Sequence, residues 1–292
     1  MKAGAPHVDS AEREYAEAVE LISSMRDSVL NLRDGQIMYL SLPRSKISAD
    51  FFCTAEHPIN GWYGLLADAA GHGLPAAIFG LHTPMLFREA VQRGLTLPEI
   101  FGQIQSFMAH QRLGGNFVCG LLVRIQGREI EVVNAGMPEA LLLAPDGRLL
   151  EAFSSQCLPF GIDGEAVVTA QRFRLAVGDA AVLLLYSDGL SELGVQAGTP
   201  LGTGGVLAAA ASAGATGTFD DLVESISRQH QRPHDDISIA LIKLPLDSNP
   251  PAEEDPVLAM AYAATGPENV EPALPQREAR LSVEPGQAID SI

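Results

Sequence analysis

The sequence predicts an α+β layered domain. Its helix-like segments fall in one block, about 74–92 and 97–112, and do not alternate with strands. Strand-like apolar runs follow one another at 117–125, 129–133 and 139–143, separated by short polar turns, as in a meander. The chain has 292 residues, 47% of them apolar, enough for one large domain or two small ones.

Taken in order, residues 1–9 carry no pattern and are expected to be disordered. Residues 10–33 read as a helix. Asp9 or Ser10 can cap it, and Glu12 stands three residues after Asp9, the spacing of a capping box. Ala18, Leu21, Ile22, Met25, Val29 and Leu32 form one apolar stripe. Such a helix either packs on its own domain or serves signalling, including a homodimer formed through residues 10–33. The organisation expected is therefore this helix over 10–35, a compact domain over 36–244 and a tail over 245–292.

Within the domain, further strand-like runs occupy 62–67, 166–175, 180–187 and 237–244. Pro84 is expected to kink or interrupt the helix at 74–92. Leu97, Pro98 and Glu99 open the next helix with proline in its first turn. Residues 204–217 read as loop plus helix, and Thr218 caps a third helix at 219–230. Ala144, Pro145, Asp146 and Gly147 signal a hairpin turn, with Asp146 structural. The tail has scattered prolines and few aromatics, a composition of disorder.

Composition narrows the function classes. The net charge is −17, which argues against nucleic acid as a partner. Nine acidic residues and two arginines after Leu244 contribute −7 of it, leaving −10 for the rest. No apolar run is long enough to span a membrane, and the first residues lack a secretory apolar segment. Cys53, Cys119 and Cys157 are odd in number and lie in or beside apolar segments. They predict reduced core thiols and a cytoplasmic location.

The chemistry is carried by acids where strands meet turns: Asp50 in ISADFF, Asp68 in LLADAAGHG, Asp188 in LLLYSDG, and Asp235 with Asp236 in PHDDISIALI. Carboxylates at strand ends can converge on one sheet edge, and gathered there they need protons or cations to neutralise them. Hard divalent ions take oxygen ligands of this kind, so the pattern points to a two-metal hydrolase. Gly71 and Gly73, flanking His72, permit a tight turn from strand into helix.

With S-x-D-F upstream, Asn134-Ala135-Gly136 between, and DDIS before the last apolar strand, this series resembles the SpoIIE-type branch of the PPM (PP2C-like) metal-dependent protein phosphatases. The resemblance covers residues 36–244. It implies an αββα sandwich, two mainly antiparallel sheets flanked by helices. Two divalent ions, Mn²⁺ or Mg²⁺, would be held by Asp50, Asp68, Asp188 and Asp235 with the Ala69 carbonyl, and Asp68 would bridge them. Asp68 and Asp188 are thereby implied as catalytic. His72, Asp236, Gly71 and Gly73 would support the ligands from behind, Asp236 by orienting the loop or binding through water. The implied reaction is attack of a metal-bridging water on a phosphoserine or phosphothreonine. The implied partner is a phosphorylated regulatory protein, often a STAS-type anti-sigma-factor antagonist.

Four positions depart from the family pattern. Ala49 and Ala67 stand where glycine usually precedes the first two acids. Met137 replaces a histidine after Asn134-Ala135-Gly136, and Cys119 replaces a threonine. Two readings follow. The first is a metal-dependent serine/threonine phosphatase, which the complete acid set favours. The second is a degenerate pseudophosphatase acting as a partner-binding module.

Overall fold

The structure, a computed structural model, describes residues 16, 29–32, 36–111, 116–162, 167–194, 198–213 and 234–246. Two units divide the chain at Ser248 and Asn249, and the second lies outside the described residues. So do the helix expected at 219–230 and most of that expected at 10–33, of which Ala16 is helical.

Among the described residues, eleven strands build two antiparallel sheets. The first contains β1 (Val29–Leu32), β2 (Ile37–Leu42), β7 (Ala140–Leu143), β8 (Leu149–Phe153), β10 (Ala181–Tyr186) and β11 (Ile237–Leu244), in the order β1-β2-β11-β10-β7-β8. The second runs β3 (Asp50–His57), β4 (Gly61–Ala69), β5 (Val118–Gln126), β6 (Glu129–Ala135) and β9 (Gln171–Arg174) in sequence order. Helices α1 (Gly73–Gly80), α2 (His82–Gln92) and α3 (Leu97–Gln111) cover the second sheet, and α4 (Asp188–Ser191) and α5 (Gly202–Ala213) cover the first. This is the αββα sandwich.

Side-chain alternation explains the layers. Along β5, Leu121, Val123 and Ile125 enter the core between the sheets, while Leu122 faces the helices with Leu65 and Ala67 of β4. Along β10, Leu183 and Leu185 enter the same inter-sheet core, and Leu184 and Tyr186 meet α4 and α5. Strands buried on both faces need no polar alternation, which is why they read as continuous apolar runs. Each buried leucine contributes about 1.5–3 kcal/mol. The β5–β6 turn places Gly127 at φ +59, a left-handed conformation that glycine adopts without strain.

Several local expectations are corrected. Val29–Leu32 is not the last turn of a helix but a strand, paired antiparallel with β2 from Val29↔Leu40 to Leu32↔Ile37. Pairing satisfies the open edge of β2, and that outweighs a weak helical preference. The sheet therefore begins before residue 36. The helix expected at 74–92 is two helices broken at Leu81. Pro84 is the third residue of α2, where its missing N–H would have had no intrahelical partner. The run at 166–175 narrows to Gln171–Arg174, the stretch opposite Glu129–Val132 of β6. Strands β2 and β8 were not among the predicted runs; β8 is an edge strand with alternating exposure.

In α2, Thr83 is fully buried and, among the described residues, its hydroxyl has no hydrogen-bond partner. A buried unsatisfied hydroxyl costs about 1–3 kcal/mol. Thr83→Val keeps the shape and removes the polar atom, so thermal unfolding should shift upward by roughly 2–4 °C per kcal/mol recovered. A lowered midpoint would show that the hydroxyl is satisfied in solution.

Candidate metal centre

Asp50 opens β3 and Asp68 lies near the end of β4, and the register sets them directly opposite each other. Asp68 is opposite Cys119 on its other side. In the first sheet, the β10–β11 ladder continues past Tyr186↔Ile239, because Ser187 N–H donates to the Ser238 carbonyl at 3.0 Å. Asp188 leaves that edge at the start of α4, and Asp235 and Asp236 approach it ahead of β11.

The electrostatics show that the acids share one site. Burial pushes the Asp68 carboxyl up to about 9, helped by the charges of Asp50, Asp188 and Asp235 and by a hydrogen bond with Asp50. Asp50 is 3% exposed; burial raises it to about 7, against the pull of the Ser187 and Ser238 hydroxyls. Asp188 rises to about 6, first through burial and then through Glu192 and Asp235, while the Gly189 N–H lowers it.

The resemblance implies a pair of divalent metal ions at this edge. Its chemistry fits: clustered carboxylates in a half-buried edge are hard oxygen ligands for Mg²⁺ or Mn²⁺. No three acidic, His or Cys side chains among the described residues form a ready-made ion cage. Asp50 and Asp68 stand opposite each other and both are pushed upward, so a metal must displace the proton they favour before their oxygens are available. Ala69 ends β4, its N–H donating to the Ala49 carbonyl at 3.3 Å.

The supporting residues separate by position. Gly71 and Gly73 have φ of +94 and +72, so the turn after Asp68 needs glycine at both places. His72, between them, is exposed, in extended conformation, and makes no side-chain capping bond. Asp236 is buried, and its carboxylate accepts the Arg44 N–H at 2.7 Å and the Ala49 N–H at 2.6 Å. Asp235 accepts the Asp236 N–H at 2.8 Å. The glycine after Asp188 is required by close approach: a Cβ on Gly189 would stand 2.0 Å from the Asp236 carbonyl oxygen.

Sequence reasoning missed a hydroxyl network under Asp50. Ser187 and Ser238 are fully buried, the Ser187 hydroxyl accepts the Ser238 N–H at 2.9 Å, and the Ser238 hydroxyl meets the Tyr39 hydroxyl at 3.0 Å. The available signal was two serines inside otherwise apolar runs. The four departures lie beside or behind the acids. Ala49 and Ala67 are buried in the core under the helices, and Ala67 lies in extended strand where a methyl causes no strain. Met137 packs between the sheets, its N–H held by the Asn134 side-chain oxygen at 3.0 Å. Cys119 is partly buried beside Asp68, and burial pushes its thiol up to about 12.

Two antiparallel sheets between helical layers, with an acid cluster at one edge, define the PP2C-type phosphatase fold. The family Stage II sporulation protein E (SpoIIE) matches residues 60–245, and the chain belongs to it. The SiaA-PP2C domain of Pseudomonas aeruginosa superimposes with a TM-score of 0.65 at 18% identity, covering 82% of this chain and 100% of that one. The RsbU and RsbW domains of Rv1364c from Mycobacterium tuberculosis give 0.58 at 23% identity, covering 74% of this chain and 60% of that one. The phosphatase domain and regulatory-domain fragment of SpoIIE from Bacillus subtilis give 0.59 at 16%, covering 73% and 63%. At these identities the likeness is one of fold. No curated protein sequence matches the chain. Among the described residues, no helix is long and apolar enough to cross a membrane.

Proposed function

We propose that this chain is a metal-dependent protein serine/threonine phosphatase acting on a phosphorylated regulatory protein of the STAS type. The observation that carries the reading is the register that sets Asp50 opposite Asp68, together with the charges of Asp188 and Asp235 that act on Asp68 beside it. These four acids and the Ala69 carbonyl would hold two divalent ions, Mn²⁺ or Mg²⁺. When bound, the ions supply an activated water and neutralise phosphoryl charge.

The chain's own groups set the conditions for that chemistry. Ser187 and Ser238 favour the ionised form of Asp50, the form a cation needs. Asp50 and Asp68, both pushed upward by burial, release protons as the site is loaded, which makes affinity rise with pH. The nearby Cys119 thiol, raised to about 12, is protonated at neutral pH and unsuited to act as a nucleophile. Direct hydrolysis without a phosphoenzyme is the course that family membership implies. A regulatory substrate is supported by family membership and by the similar folds found with RsbW and with a regulatory-domain fragment.

The test is hydrolysis by the full chain, stripped of metal, of a phosphoserine peptide and of a phosphorylated STAS protein. We expect turnover only with added Mn²⁺ or Mg²⁺, and kcat/KM for the protein substrate roughly 100-fold above that for the peptide, since remote contacts lower the barrier. Metal binding without turnover of either substrate would replace this reading with that of a partner-binding module.

A further inference from the structure

We infer that Asp236 is a positioning residue that sets the geometry of the metal ligands by tying the loop before Asp50 to the segments that carry Asp188 and Asp235. The inference rests on the phosphatase reading and deepens it. Asp236 is 3% exposed, and both of its carboxylate oxygens are engaged by backbone donors far away in sequence. Oδ1 accepts the Arg44 N–H at 2.7 Å, and Oδ2 accepts the Ala49 N–H at 2.6 Å. Bonds from backbone N–H groups to a carboxylate are short and about twice as strong as neutral ones. Together they close the loop at residues 44–49, which leads directly into Asp50.

From Ala49 the restraint passes on to Asp68. The Ala49 carbonyl accepts the N–H of Ala69, the residue after Asp68, at 3.3 Å. Asp236 is tied to the other sheet as well. Its carbonyl accepts the Ser187 hydroxyl at 3.3 Å and is in close approach to Gly189, the two residues that flank Asp188. Its N–H donates to the Asp235 side chain at 2.8 Å. One residue thus restrains the backbone beside Asp50, Asp68, Asp188 and Asp235.

With one backbone N–H on each oxygen, the Asp236 carboxylate is held against the loop at residues 44–49, the position from which it orients the ligands. Asn at this position has the same shape but places an amide donor against one of the two N–H groups. Groups that orient metal ligands typically change metal affinity by about 10–100-fold when lost.

The experiment is Mn²⁺ titration by calorimetry of metal-free wild type, Asp236→Asn and Asp68→Asn, with turnover measured across the same Mn²⁺ range. We expect Asp236→Asn to weaken Mn²⁺ binding about 10–100-fold and to recover most of its kcat at saturating Mn²⁺. Asp68→Asn should not recover. Unchanged Mn²⁺ affinity in Asp236→Asn, with wild type binding normally, overturns this inference alone. Failure of wild type to bind Mn²⁺ overturns it together with the phosphatase reading. Hydrogen exchange on metal-free wild type decides the matter if the variant does not fold. The Arg44 and Ala49 amides should exchange as slowly as those paired within β3 and β4, and exchange at the rate of an open loop would rule the clamp out.

Discussion

Asp68→Asn is expected to lower Mn²⁺-dependent phosphoserine hydrolysis by roughly 10³-fold or more, a loss of about 4 kcal/mol of transition-state stabilisation. Asp68 faces Asp50 across the β3–β4 ladder and feels the charges of Asp50, Asp188 and Asp235. The amide cannot supply the negative charge that would draw two cations together. The same substitution should make the metal-free protein more stable, because it removes a half-buried acid that must take up a proton to sit among like charges. A rise of a few degrees in the unfolding midpoint under chelator, alongside lost activity, would be the mark of a functional acid. Retained Mn²⁺-dependent turnover in the variant would remove Asp68 from the centre of the site.

Metal-free protein should become more stable as pH falls from 8 to 6, the reverse of what salt-bridged carboxylates produce. Burial and neighbouring acids raise the folded-state values to about 9 for Asp68, about 7 for Asp50 and about 6 for Asp188, all above the unfolded value of 3.8. The native state therefore binds more protons than the unfolded state between about pH 4 and pH 9. Stability is lost as pH rises through the folded values. The stability gained between pH 8 and pH 6 is on the order of 4 kcal/mol, or roughly 10 °C in midpoint. Saturating Mn²⁺ should abolish or invert the trend, since cations need the ionised acids. Asp68→Asn should flatten it. A metal-free midpoint that rises with pH over this window would mean that the acids do not crowd one another in solution.

Much of the fold was legible because its strands are buried on both faces. LLLY in β10 and ALLL in β7 are continuous apolar runs with turns at both ends, and their burial in both core layers explains the pattern. Local sequence misled where an element's state depends on a distant partner. Val29–Leu32 carries a helical stripe yet pairs as a strand with β2. The break at Leu81 follows from close packing as well as from local propensity: a Cβ on Gly80 would stand 2.3 Å from the Phe51 ring. The acids were legible as a set because each interrupts an apolar run at a turn. Their relation to one another was available only through resemblance.

By itself, the sequence determined the layered class, the order of the acids along the chain, and the turn glycines at positions 71 and 73. These depend on periodicity, on an acid ending an apolar run, and on backbone conformations local to a few residues. Only the tertiary structure decided that Asp50 faces Asp68, that the methyls of Ala49 and Ala67 are absorbed by the core, and that Ser187 and Ser238 underlie Asp50. It alone decided that Asp236 spends both oxygens on backbone groups 192 and 187 residues away. The reason is physical: which side chain meets which across two packed sheets depends on strand register and on the stacking of the layers, and neither is encoded in any window of the chain as short as a strand or a helix.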